Sequence, residues 1–180
     1  MRKIIIQIAL DIIYLFTNYF ICYIPCWHIR KVLYRLCGMK IGKDARIHMC
    51  VKVLIPWKIT IGKRSVVNEF CFLDGRGNIT IGDDVSISIY SIIITGTHKK
   101  DSETFEYAKN QVVLEDNVWL GARAMVLDGS LLQKGTIVGA GSVFKGISDK
   151  NGIYIGIPAR KMATRNLDAS YKIHFNPFFR

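Results

Sequence analysis

The stretch Leu114–Ser142, LEDNVWLGARAMVLDGSLLQKGTIVGAGS, decides how this chain folds. Every sixth residue from Leu114 is aliphatic: Leu120, Val126, Leu132 and Val138. Four residues after each of these comes a mostly small one: Val118, Ala124, Ser130, Thr136 and Ser142. Outward from this stretch the same phase runs in three shorter blocks. They are Ile41, Ile47 and Val53, then Ile61, Val67 and Leu73, then Ile81, Ile87 and Ile93. Ala45, Val51, Ser65, Cys71, Val85 and Ser91 hold the matching small positions. An amphipathic helix repeats near 3.6 residues and a one-face strand at 2, so a strict six fits neither. Gly directly after many of the aliphatics, as in Ile41-Gly42, Ile61-Gly62 and Leu120-Gly121, adds tight turns between short strands. The pattern predicts a parallel β-helix, in which each coil buries its apolar side by stacking on its neighbours.

The phase slips by two residues at Pro56-Trp57 and again over Gly75 to Asn78. It is lost altogether between Ile94 and Val112. The intervening stretch is polar and charged, and it reads as a loop excursion over residues 95–111. Long loops in compact repeats are usually functional or disordered. His98 lies at the root of this one, where the scaffold still holds the backbone and a catalytic side chain is best supported. The expected organisation is an N-terminal helical segment over 1–40, the repeats over 41–158 with their excursion, and a basic tail over 159–180.

Fifty per cent of the 180 residues are hydrophobic, which excludes a disordered chain, and the net charge is +11. The charge gathers at the two ends. Residues 1–40 carry Arg2, Lys3, Arg30, Lys31, Arg35 and Lys40 against Asp11 alone. The tail carries Arg160, Lys161, Arg165, Lys172 and Arg180 against Asp168. Anionic lipid and phosphorylated ligands fit this distribution. Nucleic acid fits it least, because no nucleic-acid-binding motif or aromatic platform accompanies the charge. The five cysteines, Cys22, Cys26, Cys37, Cys50 and Cys71, are odd in number and match no zinc spacing. Free, reduced, buried thiols are the expectation, with no metal site.

Ile4 to Ile24 is strongly apolar, and Gln7, Asp11, Tyr14 and Asn18 fall on one helical face of it. A lipid-exposed spanning helix should not keep such a stripe without a partner. No small-x-small cleavage pattern follows, against a signal peptide. The expectation is a helix packed on the β-helix or lying in a membrane interface, with a span as the alternative. Cys26 to Cys37 reads as a second, basic amphipathic helix, with Trp27, Leu33 and Tyr34 at a lipid surface and Arg30, Lys31 and Arg35 toward head groups. The plainer reading is a helix pair capping the open end of the coils.

With the repeats, the His98 loop and the ending Gly156-Ile157-Pro158-Ala159-Arg160-Lys161 in view, the chain resembles the hexapeptide-repeat acyltransferases. It is most similar to the sugar O-acetyltransferases of the maltose, galactoside, colanic-acid and capsule group. The stretches that carry the likeness include Pro56 to Gly62, Asn68 to Asp74, Ile79 to Ser88, Asn117 to Ala122 and Ile137 to Ser142. Phe144, Asp128 and Leu131-Leu132-Gln133 depart from the family's repeat but keep the six-residue phase. The resemblance implies a left-handed parallel β-helix, a homotrimer with sites between subunits, and acetyl-CoA as donor. It implies His98 as general base, since an imidazole can take a hydroxyl proton near neutral pH. It places Asn68 and Asp74 on the acceptor, although Asp74-Gly75 is also a plain turn dipeptide. Gly121, Ala122, Gly139 and Ala140 would border the pantetheine arm and Trp119 the thioester. Lys145 and Arg160 would meet the phosphates. No Ser or Cys stands beside His98, so direct transfer is expected. The implied function is O-acetylation of a sugar of a surface polysaccharide, free or lipid-linked, in the cytoplasm at the inner face of the membrane, with peripheral contact through residues 1–36. The alternatives are acetylation of an amino sugar, serine or an antibiotic, and a non-catalytic trimeric scaffold.

Overall fold

The computed structural model describes residues 2–166 and 170–175. Asp168 and the stretch 176–180, with Arg180, lie outside the described residues, as do the side chains of Arg2 and Lys3. From Lys40 onward the chain winds into a parallel β-solenoid with three faces. The first face stacks Lys40–Ile41, Ile59–Ile61, Ile79–Ile81, Val112–Leu114 and Leu131–Leu132. The second stacks Arg46–Ile47, Val66–Val67, Ser86–Ile87, Trp119–Leu120, Ile137–Val138 and Gly152–Gly156. The third stacks Lys52–Leu54, Phe72–Asp74, Ile92–Ile93, Met125–Val126 and Val143–Phe144.

The register is the sequence period made visible. On the first face Ile41 pairs with Ile61, Ile61 with Ile81, Ile81 with Leu114 and Leu114 with Leu132. Each six-phase aliphatic points inward, and none of them is more than 6% exposed. The small residues four positions on are buried as well, filling the corners of the triangular core. Phe144 keeps the inward position and packs edge-on against Tyr154, their rings 5.1 Å apart. The two slips become single 3₁₀ turns, Pro56–Lys58 and Gly75–Gly77, stacked at the corner between the third and first faces. Gly75 is required there, because a Cβ would lie 2.6 Å from the carbonyl oxygens of Leu54 and Ile55.

The ends are closed differently. At the far end Ala159–Thr164 turns back antiparallel on Gly152–Gly156. At the near end helix α1 (Arg2–Leu15) runs through a π turn and a 3₁₀ turn, and helix α2 (Trp27–Leu36) then lies across the first coil. All three open sheet edges receive a side chain. The Asn18 amide pairs with Val53 as another strand would, donating to its carbonyl at 2.8 Å and accepting its N–H at 2.7 Å. Arg30, fully buried, donates to the Ile47 carbonyl at 3.0 Å on the second face. Arg35 donates to the Ile41 carbonyl on the first face, with Lys31 reaching the Gly42 carbonyl beside it at 3.2 Å.

The helix pair caps the coils, which corrects the head-group orientation expected of Arg30, Lys31 and Arg35 and the lipid-facing one expected of Trp27 and Tyr34, which are buried, and of Leu33, which packs partly buried on the core. Unpaired edge carbonyls buried under a helix need donors, and these three cations supply them. The cysteines are all free, but only Cys22 and Cys71 are buried; Cys26, Cys37 and Cys50 are partly exposed.

Candidate active site

The excursion is a β-hairpin. Gly96–His98 pairs antiparallel with Tyr107–Lys109, and His98 faces Tyr107. Its base is clamped from both sides. At the entry, Asp74 is fully buried and accepts from the backbone N–H groups of Thr95 and Gly96, each at 3.0 Å. The same carboxylate takes the Arg76 guanidinium at 2.8 and 3.0 Å and the Arg76 backbone N–H at 3.1 Å. Burial pushes the Asp74 carboxyl up, but these donors together outweigh it and hold it below its ordinary value. Thr95 completes the clamp: its hydroxyl donates to the Asp74 carbonyl at 2.6 Å and accepts from Gly77 N–H at 2.7 Å. At the exit, Asn110 donates its backbone N–H to Thr95 and its side-chain amide to Asp128, both at 2.9 Å. Lys145 donates to the other Asp128 oxygen at 2.8 Å.

On this platform the His98 ring is exposed, and its orientation is fixed. It stacks on Phe105, ring centres 3.6 Å apart and planes 15° apart, with Tyr107 edge-on at 5.6 Å. Its Nδ1 lies 2.9 Å from the Phe105 carbonyl oxygen. A carbonyl can only accept, so Nδ1 carries the hydrogen and neutral His98 keeps its lone pair on Nε2. That is the tautomer a general base needs.

A second set of expected residues lines the corner between the second and third faces. Successive coils stack His48, Asn68, Ser88, Gly121 and Gly139 there, with Met49, Glu69, Ile89, Ala122 and Ala140 next to them. The corner is graded, polar and bulky in the early coils and reduced to Gly and Ala in the later ones. A Cβ on Gly121 would meet the Ala140 nitrogen at 2.6 Å, so the next coil can stack this closely only because the side chain is missing. Trp119 stands half-exposed on the second face and donates its indole N–H to Ser88 at 3.1 Å. Asn68 donates its amide to the Ile87 carbonyl at 2.8 Å and borders a cavity of about 170 Å³ with Val66, Ser86, Ile173 and Phe175. Arg160 is exposed on the last strand, opposite Ile155.

The structure therefore brings His98, Asp74 and Lys145 to one corner and Asn68, Trp119, Gly121, Ala122, Gly139 and Ala140 to the other side of the third face. The length of a third-face strand separates the two sets within one chain. Asp74 and Lys145, expected on acceptor and donor, are engaged by the chain itself at the two ends of the hairpin base. Thr95, Arg76, Phe105 and Tyr107 escaped the sequence reading, because nothing in the six-residue phase marks a residue that serves an insertion.

Stacked hexad coils, interrupted by a histidine-bearing hairpin at one corner, make the fold a parallel β-helix of six-residue repeats. No family model matches it. It is similar to an Escherichia coli K12 protein whose name proposes a colanic acid biosynthesis acetyltransferase, WcaF. The two are 39% identical over 119 residues, covering 66% of this chain and 65% of the relative, so the match spans just under two thirds of that protein's length. The E. coli K12 protein WbbJ, named for lipopolysaccharide biosynthesis O-acetyl transfer, is 30% identical over 52% of this chain and 54% of its own. Among solved structures, a hexapeptide-repeat acetyltransferase of Vibrio cholerae superposes with a TM-score of 0.76 at 24% identity, covering 87% of this chain and 88% of the other. The same protein complexed with acetyl coenzyme A gives 0.71 at 26% identity, with 76% of each chain covered.

Proposed function

We propose that the chain transfers an acetyl group from acetyl-CoA to a sugar hydroxyl, with His98 as general base. The observation that carries this reading is the Nδ1–H bond from His98 to the Phe105 carbonyl, which leaves Nε2 basic, exposed and oriented. In the reaction, Nε2 takes the hydroxyl proton as the acceptor oxygen attacks the thioester carbonyl. The tetrahedral intermediate expels the CoA thiolate, and the imidazolium returns the proton to sulfur. The products are an acetyl ester and free CoA, and no acyl-enzyme forms. Among the described residues no cluster of His, Cys, Asp and Glu could hold a metal, and this chemistry needs none.

The assembly in this reading is a homotrimer. The two sets of site residues lie on opposite sides of the third face, and a second copy set against that face brings the hairpin of one chain to the Gly and Ala corner of the next. Gly121, Ala122, Gly139 and Ala140 then leave room for a narrow pantetheine arm, Trp119 flanks the thioester and Arg160 offers charge to the phosphates. Asn68 serves the acceptor, and Asp74 serves it indirectly by fixing the hairpin. The names of the relatives support a surface polysaccharide as the source of the sugar, and an acetyl-CoA donor favours a cytoplasmic reaction. Purified protein incubated with acetyl-CoA and a panel of sugars should release CoA and yield one acetylated product by mass spectrometry. Light scattering should give three times 20.5 kDa. Absence of product with every hydroxyl acceptor, alongside transfer to an amino sugar, would replace the O-acetyl reading.

A further inference from the structure

The stretch Ile4–Tyr23 is long and apolar enough to cross a bilayer, with a mean hydropathy of 1.8, yet only 17% of it is buried. Ile4, Ile5, Ile6, Ile8, Ile12 and Leu15 are each between 51% and 65% exposed. At 100° per residue they sweep an arc of about 200°. The opposite stripe is accounted for within the chain: Gln7 bonds Asp11 at 2.9 Å, and Asn18 is spent on Val53. Helix α2 has exposed apolar residues of its own, with Ile29 at 52%, Val32 at 57% and Leu36 at 78% exposure. Where the stretch joins the coils, Tyr19 and Tyr23 stand at the surface with the Lys52 ammonium 4.7 Å from each ring.

We propose that α1 docks the protein on a phospholipid surface, lying in the interface plane with its isoleucine arc among the acyl chains. A packing helix covers a stripe of about 100°, half the width of this arc, whereas a lipid phase covers the whole of it. Tyrosines beside a lysine suit the head-group level, where amphipathic rings and cations collect. The net charge of +11 adds attraction to anionic lipid. Asp11 sits near the middle of the stretch, so a span would carry a charge to the bilayer centre, while an in-plane helix keeps it on the polar side. The proposal stands on α1 and is independent of acetyl transfer.

The test is flotation of the full chain with vesicles of phosphatidylcholine alone and of phosphatidylcholine with phosphatidylglycerol. The chain should float with both, more strongly with the anionic vesicles at low salt. Ile5→Asp/Ile8→Asp/Ile12→Asp should weaken partitioning by more than about a hundredfold, since each buried aliphatic contributes about tenfold or more. Its melting temperature and light-scattering mass should match those of the unaltered chain. Should the triple variant fold poorly, Ile5→Asp alone should still weaken partitioning by about tenfold. A chain that never floats, or variants that float equally well, overturns the proposal. So does a variant of lower mass, which would make the arc an interface between copies. Retention on vesicles after alkaline carbonate extraction would overturn the in-plane placement.

Discussion

The carbonyl of Phe105 determines which nitrogen of His98 is basic. At 2.9 Å from Nδ1 it can only accept, so the proton stays there and Nε2 faces outward with its lone pair. The ring stack between the same two residues keeps the imidazole from turning over. One residue of the hairpin thus sets both the tautomer and the aim of another.

Replacing His98 with Ala should lower kcat for acetyl transfer by about 10²–10⁴, the usual worth of a positioned general base. Acetyl-CoA affinity by calorimetry should not change. Full activity in the variant would remove His98 from the mechanism. Phe105→Ala keeps the carbonyl but loses the stack, so a smaller fall in kcat is expected.

Asp74→Asn should loosen the hairpin base. The amide would turn a donor toward the N–H groups of Thr95 or Gly96, or toward Arg76, and the cost should be about 1–3 kcal/mol. Hydrogen exchange should rise at Thr95 and Gly96 and not in the first coil. The pH dependence follows from the depressed carboxyl. Its stabilisation is complete above the unfolded-state value, near about pH 4, and is lost as pH falls through the lower folded-state value. Protection at the hairpin base should therefore hold at neutral pH and fail only in acid. In Asp74→Asn that acid step should be missing.

Arg160→Ala should raise the KM for acetyl-CoA and leave kcat nearly unchanged, as lost uniform binding does. Lys145→Ala is expected to raise KM as well. It should also disturb the hairpin exit, because Asp128 loses its ammonium partner while Asn110 still depends on it. Unchanged donor affinity in both variants would place the phosphates elsewhere.

Asn18→Leu leaves the Val53 N–H and carbonyl buried without partners, at about 1–3 kcal/mol each. At about 2–4 °C per kcal/mol for a chain of this size, the melting temperature should fall by about 4–24 °C. An unchanged melting curve would mean that water takes over both groups.

The coils were legible in the sequence because each inward position is dictated by a neighbour directly above or below. Leu114 must match Ile81 and Leu132, and that demand repeats every six residues. Arg30, Lys31 and Arg35 admitted two readings, head-group contact and capping of the coils, for a physical reason. Charge is visible in a sequence, but the carbonyls that need it exist only once the first coil has an edge. Asp74 shows the same limit. Its neighbour Gly75 announces a turn, while its partners Thr95 and Gly96 lie across a coil, at a distance no local pattern encodes. His98 could be singled out as a candidate because it stands where the phase fails, and an interruption in a strict repeat is itself a signal.

The side chains that seal the first coil also limit how the molecule can multiply. A bare solenoid terminus is a template on which another strand, from any chain, could add without limit. Asn18, Arg30 and Arg35 occupy that template, and at the other terminus the strand Ala159–Thr164 runs in the wrong direction to seed a further coil. The stack is a rod of fixed count. On the second face neither terminus is left open to a further parallel strand, which favours assembly flank to flank, where rotation can close it into a finite ring.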